Sequence, residues 1–219
     1  MPYQAGQFLR IGLDIAGERV GRPYSLVNAP QQDLLEIYFH IVPDGLVSPR
    51  LAVLRPGDVF WLDPQPYGFL TLAEVPVVSD LWLLATGTGI GPFLSMLQSE
   101  MIWTRFEHIV LVQAVRSAAE LSYAEVIAHA RDAHPQQLRY VPFVSREQVA
   151  GTLHGRIPAA IEDGRLETKA GLSLSAACSH VLLCGNSGMI DDSIAVLARR
   201  GMQRHRRQQP GHISTEKYF

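Results

Sequence analysis

The stretch LWLLATGTGIGPF, residues 81–93, decides the fold of this chain: an apolar run ends in three glycines at alternate positions, followed at once by proline and a new apolar segment. A continuous apolar run with no polar alternation reads as a strand covered on both faces. Gly87, Gly89 and Gly91 then allow a backbone to pass close to a ligand, and Pro92 suits the first turn of a helix whose free amides favour anions. The pattern departs from the dinucleotide fingerprint GxGxxG, whose third glycine would fall on Pro92, and no Gly-Lys-Ser/Thr marks a phosphate loop. A tight strand-to-helix turn without a ligand is the competing reading.

Working outward, further apolar runs follow at 108–115 (HIVLVQAV), 139–144 (RYVPFV) and 180–185 (HVLLCG), separated by helix-like segments at 91–101 and 118–133. Strands alternating with helices indicate a parallel sheet covered on both faces. Before residue 73 the texture changes to short strands broken by turn residues: QFLRIGLDI (7–15), RPYSLV (22–27), LLEIYFHIV (34–42) and VFWLDP (59–64). In LLEIYFHIV, Leu35, Ile37, Phe39 and Ile41 share one face and Glu36, Tyr38 and His40 the other, which predicts a strand with one buried side. The expected architecture is therefore α/β with an all-β N-terminal domain. An antiparallel β-barrel or sandwich occupies 1–75, a parallel-sheet α/β domain 76–219, and the boundary lies between Ala73 and Ser79.

The composition is that of an ordinary globular chain of 219 residues, 47% apolar, with a formal charge of −2 that gives no reason to expect nucleic acid. No run reaches membrane-spanning length and the opening MPYQAGQFLR lacks a secretory core, so the chain reads as cytoplasmic with no membrane partner. Cys178 and Cys184 are too few for an iron–sulfur cluster, and the eight histidines show no zinc-like spacing, so no metal is expected. The segment 199–212 gathers Arg199, Arg200, Arg204, Arg206 and Arg207, either a solvated helix end or a docking patch for an acidic protein.

Ligands of such sheets bind at the carboxyl ends of the strands. There the sequence sets Arg116 after the second run, Ser145 and Arg146 after the third with Arg156 ten residues on, and Cys184-Gly185 at the fourth. Guanidiniums and a hydroxyl converging on one crevice suit a phosphate, and by extension a phosphorylated adenosine. A buried cysteine is otherwise a small hydrophobe.

Taken together, RPYS, PDGLVSPRL, PGD, LLATGTGIGPF, VSRE, GRIP, LLCGNSGM and the ending PGHISTEKYF resemble, in order and over nearly the whole chain, the ferredoxin–NADP reductases, and among them the bacterial flavodoxin/ferredoxin reductases. The resemblance implies a flavin-binding barrel followed by an NADP-binding domain. It implies that Arg22 pairs with the FAD pyrophosphate, that Tyr24 covers the flavin and that Ser25 stands near the hydride-accepting nitrogen, with Pro23 between. Gly45, Leu46, Val47 and Ser48 would bring backbone amides and a hydroxyl to the pyrophosphate, Phe39, His40 and Ile41 would contact the flavin, and Thr88 would serve the flavin side of the glycine turn. Thr88 and Gly89 would face the nicotinamide of NADP(H) and Arg116 its pyrophosphate. Ser145, Arg146 and Arg156 would hold the 2′-phosphate. Cys184 and Gly185 would lie beside the nicotinamide, Glu216 in the terminal acidic position, Tyr218 on the flavin and Phe219 on the adenine. The implied chemistry is electron transfer between NADPH and a separate one-electron carrier, ferredoxin or flavodoxin. Ser25, Cys184 and Glu216 are its candidate catalytic groups. Two alternatives stand beside it: a related flavin reductase serving an oxygenase or free flavin, and a non-catalytic nucleotide-binding remnant. Members of the family carry a further segment with the first barrel strands ahead of AGQF, whereas this chain opens almost at that motif. The barrel is therefore expected to expose unpaired edges, with flavin retention and oligomeric state depending on them.

Overall fold

The computed structural model describes residues 2–218. In the N-terminal part β1 (Phe8–Ile15) pairs antiparallel with both β2 (Glu18–Ser25) and the short β3 (Trp61–Leu62), giving the order β2-β1-β3. The turn between β1 and β2 uses Ala16 and Gly17, both at positive φ. Between β2 and β3 lies one helical turn, α1 (Ser48–Leu51).

The C-terminal part is a six-stranded parallel sheet in the order β7-β6-β5-β4-β8-β9. Its strands are β4 (Asp80–Thr86), β5 (His108–Val115), β6 (Leu138–Val144), β7 (Leu153–His154), β8 (Ser179–Asn186) and β9 (Ile213–Tyr218). Successive side chains of a strand point to opposite faces. Leu81, Leu83 and Ala85 therefore pack with Ile109 and Leu111 against α2 (Gly91–Leu97), α3 (Glu100–Arg105) and α4 (Ala124–Ala133). Trp82 and Leu84 pack with Val110, Val112 and Leu183 against α5 (Ile157–Glu162), α6 (Arg165–Ala170) and α7 (Ser187–Arg199). Among the described residues no helix is long and apolar enough to cross a membrane.

The two sheets share a core. Ala5, Val27, Leu70, Leu72 and Val75 belong to the same buried cluster as Leu83 and Phe93. Two arginines of the second half hold the connecting segment: Arg105 donates to the carbonyls of Leu72 and Val75, and Arg207 pairs with Glu74 at 2.7 Å.

The antiparallel sheet is open, as the short N-terminus leads one to expect: among the described residues it stops at three strands and does not close, leaving Val53, Val59, Phe60 and Trp61 exposed. Trp61 is partly covered by the Arg19 guanidinium 3.1 Å over its ring and donates to Asp14. The sequence expectation fails at 34–42, which is not a strand: Ile37 alone forms an isolated bridge to Leu26, and of the face expected to be buried Ile37 and Phe39 pack on the N-terminal clusters while Leu35 and Ile41 are exposed. The expected outer face docks as well. Tyr38 packs edge-on against Tyr123, whose hydroxyl donates to Glu36 at 2.6 Å. The segment is thus held between the two halves, Ile37 and Phe39 on one and Glu36 and Tyr38 on the other, without ladder pairing along its length.

Candidate active-site cleft

The strand order reverses between β4 and β8, and a parallel sheet opens a crevice at such a point. Two glycines make the crossing possible. A Cβ on Gly89 would lie 2.4 Å from the Cys184 carbonyl oxygen, and one on Gly185, at φ +129°, would lie 2.2 Å from the Thr86 hydroxyl. Neither position admits a side chain without moving a strand end. Thr86 fastens the same joint by accepting from the Asn186 amide at 2.9 Å.

Over this joint lies a cleft of about 1340 Å³ whose walls come from both halves. From β2 and the segment after it come Arg22, Pro23, Tyr24, Ser25, Phe39, His40 and Ile41, and from the turn before α1 come Leu46, Val47 and Ser48. The parallel sheet contributes Thr88, Arg116, Ser145, Arg146, Arg156, Gly185 and Tyr218. Gly89 and Cys184 lie buried just beneath its floor. Phe219 lies outside the described residues.

Register brings the polar groups together. The β8–β9 pairing sets Cys184 opposite Glu216 and Asn186 opposite Tyr218. Across the gap between the halves, Ser25 donates to Glu216 Oε1 at 3.2 Å and accepts from the Tyr218 hydroxyl at 2.7 Å. Burial pushes the Glu216 carboxyl up to about 7, the Ser25 bond opposing it. Burial likewise drives the Cys184 thiol and the Tyr218 phenol upward, so both are neutral at physiological pH. Cys184 therefore packs as a thiol.

The arginines follow strand geometry. Backbone bonds from Ser145 to Val115 and from Arg146 to Arg116 hold the ends of β5 and β6 level. Ser145 Oγ donates to the Val115 carbonyl at 3.2 Å. Among the described residues Arg22, Arg116, Arg146 and Arg156 make no ion pair with any carboxylate. Four uncompensated guanidiniums in one cleft, with an aromatic ring at Tyr24, form a donor set suited to dinucleotide phosphates and a flat ring. Ser48 accepts from the Val42 amide at 2.9 Å, which leaves its hydroxyl proton free to donate.

The basic segment 199–212 divides. Arg199, Arg200 and Arg207 are engaged by Glu162, Glu167 and Glu74, whereas Arg204 and Arg206 are exposed without a carboxylate partner among the described residues. These two line a smaller cavity of about 400 Å³ together with Phe69 and Glu216. Sequence reasoning missed Thr86, Glu120, Asn186 and Lys217 on the main cleft. Asn186 had a readable signal, since asparagine before a helix is a standard cap, and here it accepts from the Met189 amide.

Comparison with known proteins gives the same picture. Residues 1–66 match the family described as "Oxidoreductase FAD-binding domain" and residues 83–194 that described as "Oxidoreductase NAD-binding domain". The chain is 48% identical over 220 residues to the flavodoxin/ferredoxin–NADP reductase of Escherichia coli (strain K12), spanning 100% of this chain and 89% of that one. It is 32% identical over 226 residues to the ferredoxin–NADP reductase of Pseudomonas aeruginosa, spanning 99% and 87%. A crystal structure of a ferredoxin NADP+ reductase from Neisseria gonorrhoeae with bound FAD and NADP superposes with a TM-score of 0.94 at 32% identity, covering 100% of this chain and 88% of that one.

Proposed function

This chain belongs to the flavodoxin/ferredoxin–NADP reductase family, and from that membership we propose that it is an FAD-dependent oxidoreductase moving electrons between NADPH and ferredoxin or flavodoxin. The observation that carries the reading is the single cleft in which two dinucleotide-type donor sets, one from each half, face each other. Residues 1–75 form the FAD half and 76–219 the NADP half.

In this reading Arg22 and the turn 45–48 would hold the FAD phosphates, Tyr24 would stack on the ring, and Phe39, His40 and Ile41 would line its edge. Arg116 would take the NADP pyrophosphate and Ser145, Arg146 and Arg156 the 2′-phosphate, with Thr88, Gly89 and Gly185 beside the nicotinamide. FAD, when bound, supplies a centre that takes two electrons as hydride and releases them singly. The chain supplies alignment and protons. Glu216, with a pKa near neutrality, holds a proton at its carboxylate near pH 7 and can exchange it with Ser25 Oγ, while Tyr218 fixes the Ser25 hydroxyl by donating to it. The neutral Cys184 thiol fills the floor without competing as a nucleophile.

The carrier would dock at the rim formed by Arg204, Arg206 and Phe69, whose free cations suit an acidic protein. The purified protein should be yellow and should oxidise NADPH far faster than NADH. Arg146→Ala should narrow that preference by about tenfold, the value of one charge-assisted phosphate contact. Equal initial rates with NADPH and NADH in the unaltered protein overturn the 2′-phosphate assignment. Comparing ferredoxin, flavodoxin and riboflavin as acceptors separates the carrier reading from a free-flavin reductase.

A further inference from the structure

The segment that carries Ser25 continues as Leu26, Val27 and Asn28, and it runs along α2 as no loop requirement demands. At the helix start, a Cβ on Gly91 would sit 3.9 Å from Ser25 Cβ and 3.5 Å from Val27 Cγ2. Further along the helix two polar side chains spaced by three residues reach two consecutive carbonyls. Ser95 Oγ donates to the Asn28 carbonyl at 2.7 Å, and Gln98 Nε2 to the Val27 carbonyl at 2.9 Å. Residues three apart share a helix face, so α2 and its C-cap residue Gln98 present both donors on one side. The Asn28 carbonyl also accepts from the Tyr3 hydroxyl at 2.8 Å. Ser95 is fully buried and Asn28 nearly so.

These bonds join the two halves at a particular place. The helix that offers Ser95 and Gln98 is continuous with the glycine turn bearing Thr88 and Gly89, and the carbonyls it holds lie two and three residues past Ser25. The apolar core would keep the halves together without them, because Val27 packs with Ile90 and Phe93 in any case. Apolar packing is tolerant of small slides; a hydrogen bond to a buried carbonyl is directional and leaves an unsatisfied group if it slips.

We infer that Ser95 and Gln98 are positioning residues that set the distance between the two ring-holding elements, a role that rests on the proposed function. The two dinucleotide sets lie on separate elements and neither contains Ser95 or Gln98, so removing these donors leaves both binding sites intact and changes only their relation. A displacement of the order of 1 Å at reacting centres lowers a rate by about 10²-fold.

The test is Ser95→Ala, Gln98→Met and the double variant, with four readouts: FAD affinity, equilibrium NADP+ affinity, the stopped-flow rate of flavin reduction by NADPH together with the charge-transfer absorbance, and hydrogen exchange of the cofactor-free chain over 25–29. Both affinities should stay within about twofold of the parent. Reduction should slow by about tenfold in Ser95→Ala and about 10²-fold in the double variant, with KM for NADPH unchanged, weaker charge-transfer absorbance and faster exchange over 25–29. Reduction rates within twofold of the parent overturn the inference, as does a loss of rate matched by an equal loss of either affinity. Should Ser95→Ala fail to accumulate, Gln98→Met at its half-buried position decides by the same criteria. A parent protein that never binds FAD defeats the proposed function; unchanged exchange over 25–29 in the cofactor-free variants then defeats the inference separately.

Discussion

Leu81 to Ala85 of β4 and the run Val59-Phe60-Trp61 look alike as text, each an unbroken string of apolar side chains. In the structure the five β4 residues are fully enclosed, whereas Val59, Phe60 and Trp61 are 87%, 45% and 47% exposed. The first run lies in a sheet with helices on both faces; the second lies at the edge of a three-stranded sheet whose own buried clusters are small, one built on Tyr3, Leu9 and Leu26, the other on Ile11, Val47 and Leu51. The difference teaches that the parallel half generates its core from its own chain. The antiparallel half is held largely through what it shares with its neighbour, by way of Ala5, Val27 and Leu70.

The strongest way to break that comparison is Leu83→Ala. Leu83 is a fully enclosed member of the shared cluster, so truncation should lower unfolding free energy by about 3–4 kcal/mol in urea melts, the sum of lost transfer and a partly uncollapsed cavity. Both halves should unfold together, since the cluster spans them. A loss below about 1 kcal/mol, or two separate transitions, would mean that the shared core does not carry the antiparallel half.

The same contrast explains what the sequence made legible. The four long apolar runs became β4, β5, β6 and β8 almost residue for residue, because continuous burial leaves one solution for a run of that length. Where local signals met tertiary demands they lost. The helix-like 91–101 breaks at Ser99, which is extended, and the helix expected from 118 begins only at Ala124, after Tyr123 takes a left-handed conformation. Glu36 and Tyr38 turn toward Tyr123, a partner 87 residues away from Glu36 that periodicity cannot show. In the cleft, residues at strand tips were readable because sheet topology dictates where ligands go. Ser95, Gln98 and Asn28 were not, since their meaning lies in backbone carbonyls of another element, which carry no signature in the sequence.

A second, intermediate effect sharpens the comparison at the seam itself. Glu216 has its carboxyl raised from about 4.5 to about 7 by burial between the halves. In the unfolded chain it ionises at ordinary values, so the folded state binds the proton more tightly. Its contribution is fully present below about pH 4.5 and is lost as pH rises through about 7. At 1.36 kcal/mol per unit the full swing is about 3 kcal/mol as an upper value. In cofactor-free protein Glu216→Gln should therefore melt higher than the parent at pH 8 and show no such gain at pH 5. An equal shift at both pH values would place the effect in packing instead of proton binding.

The smallest expected effect probes the open sheet. Val59→Ser replaces a side chain that already meets water and lies just outside β3, so little transfer free energy is at stake. Stability should move by no more than about 0.5 kcal/mol in urea melts, the usual range for a surface change. Binding of a hydrophobic dye to the folded protein should nevertheless fall, because Val59 is among the most exposed apolar side chains of this segment. A destabilisation above about 1 kcal/mol would show that this face is covered in solution. The open sheet would then hold a core of its own, and its contrast with the enclosed β4 would vanish.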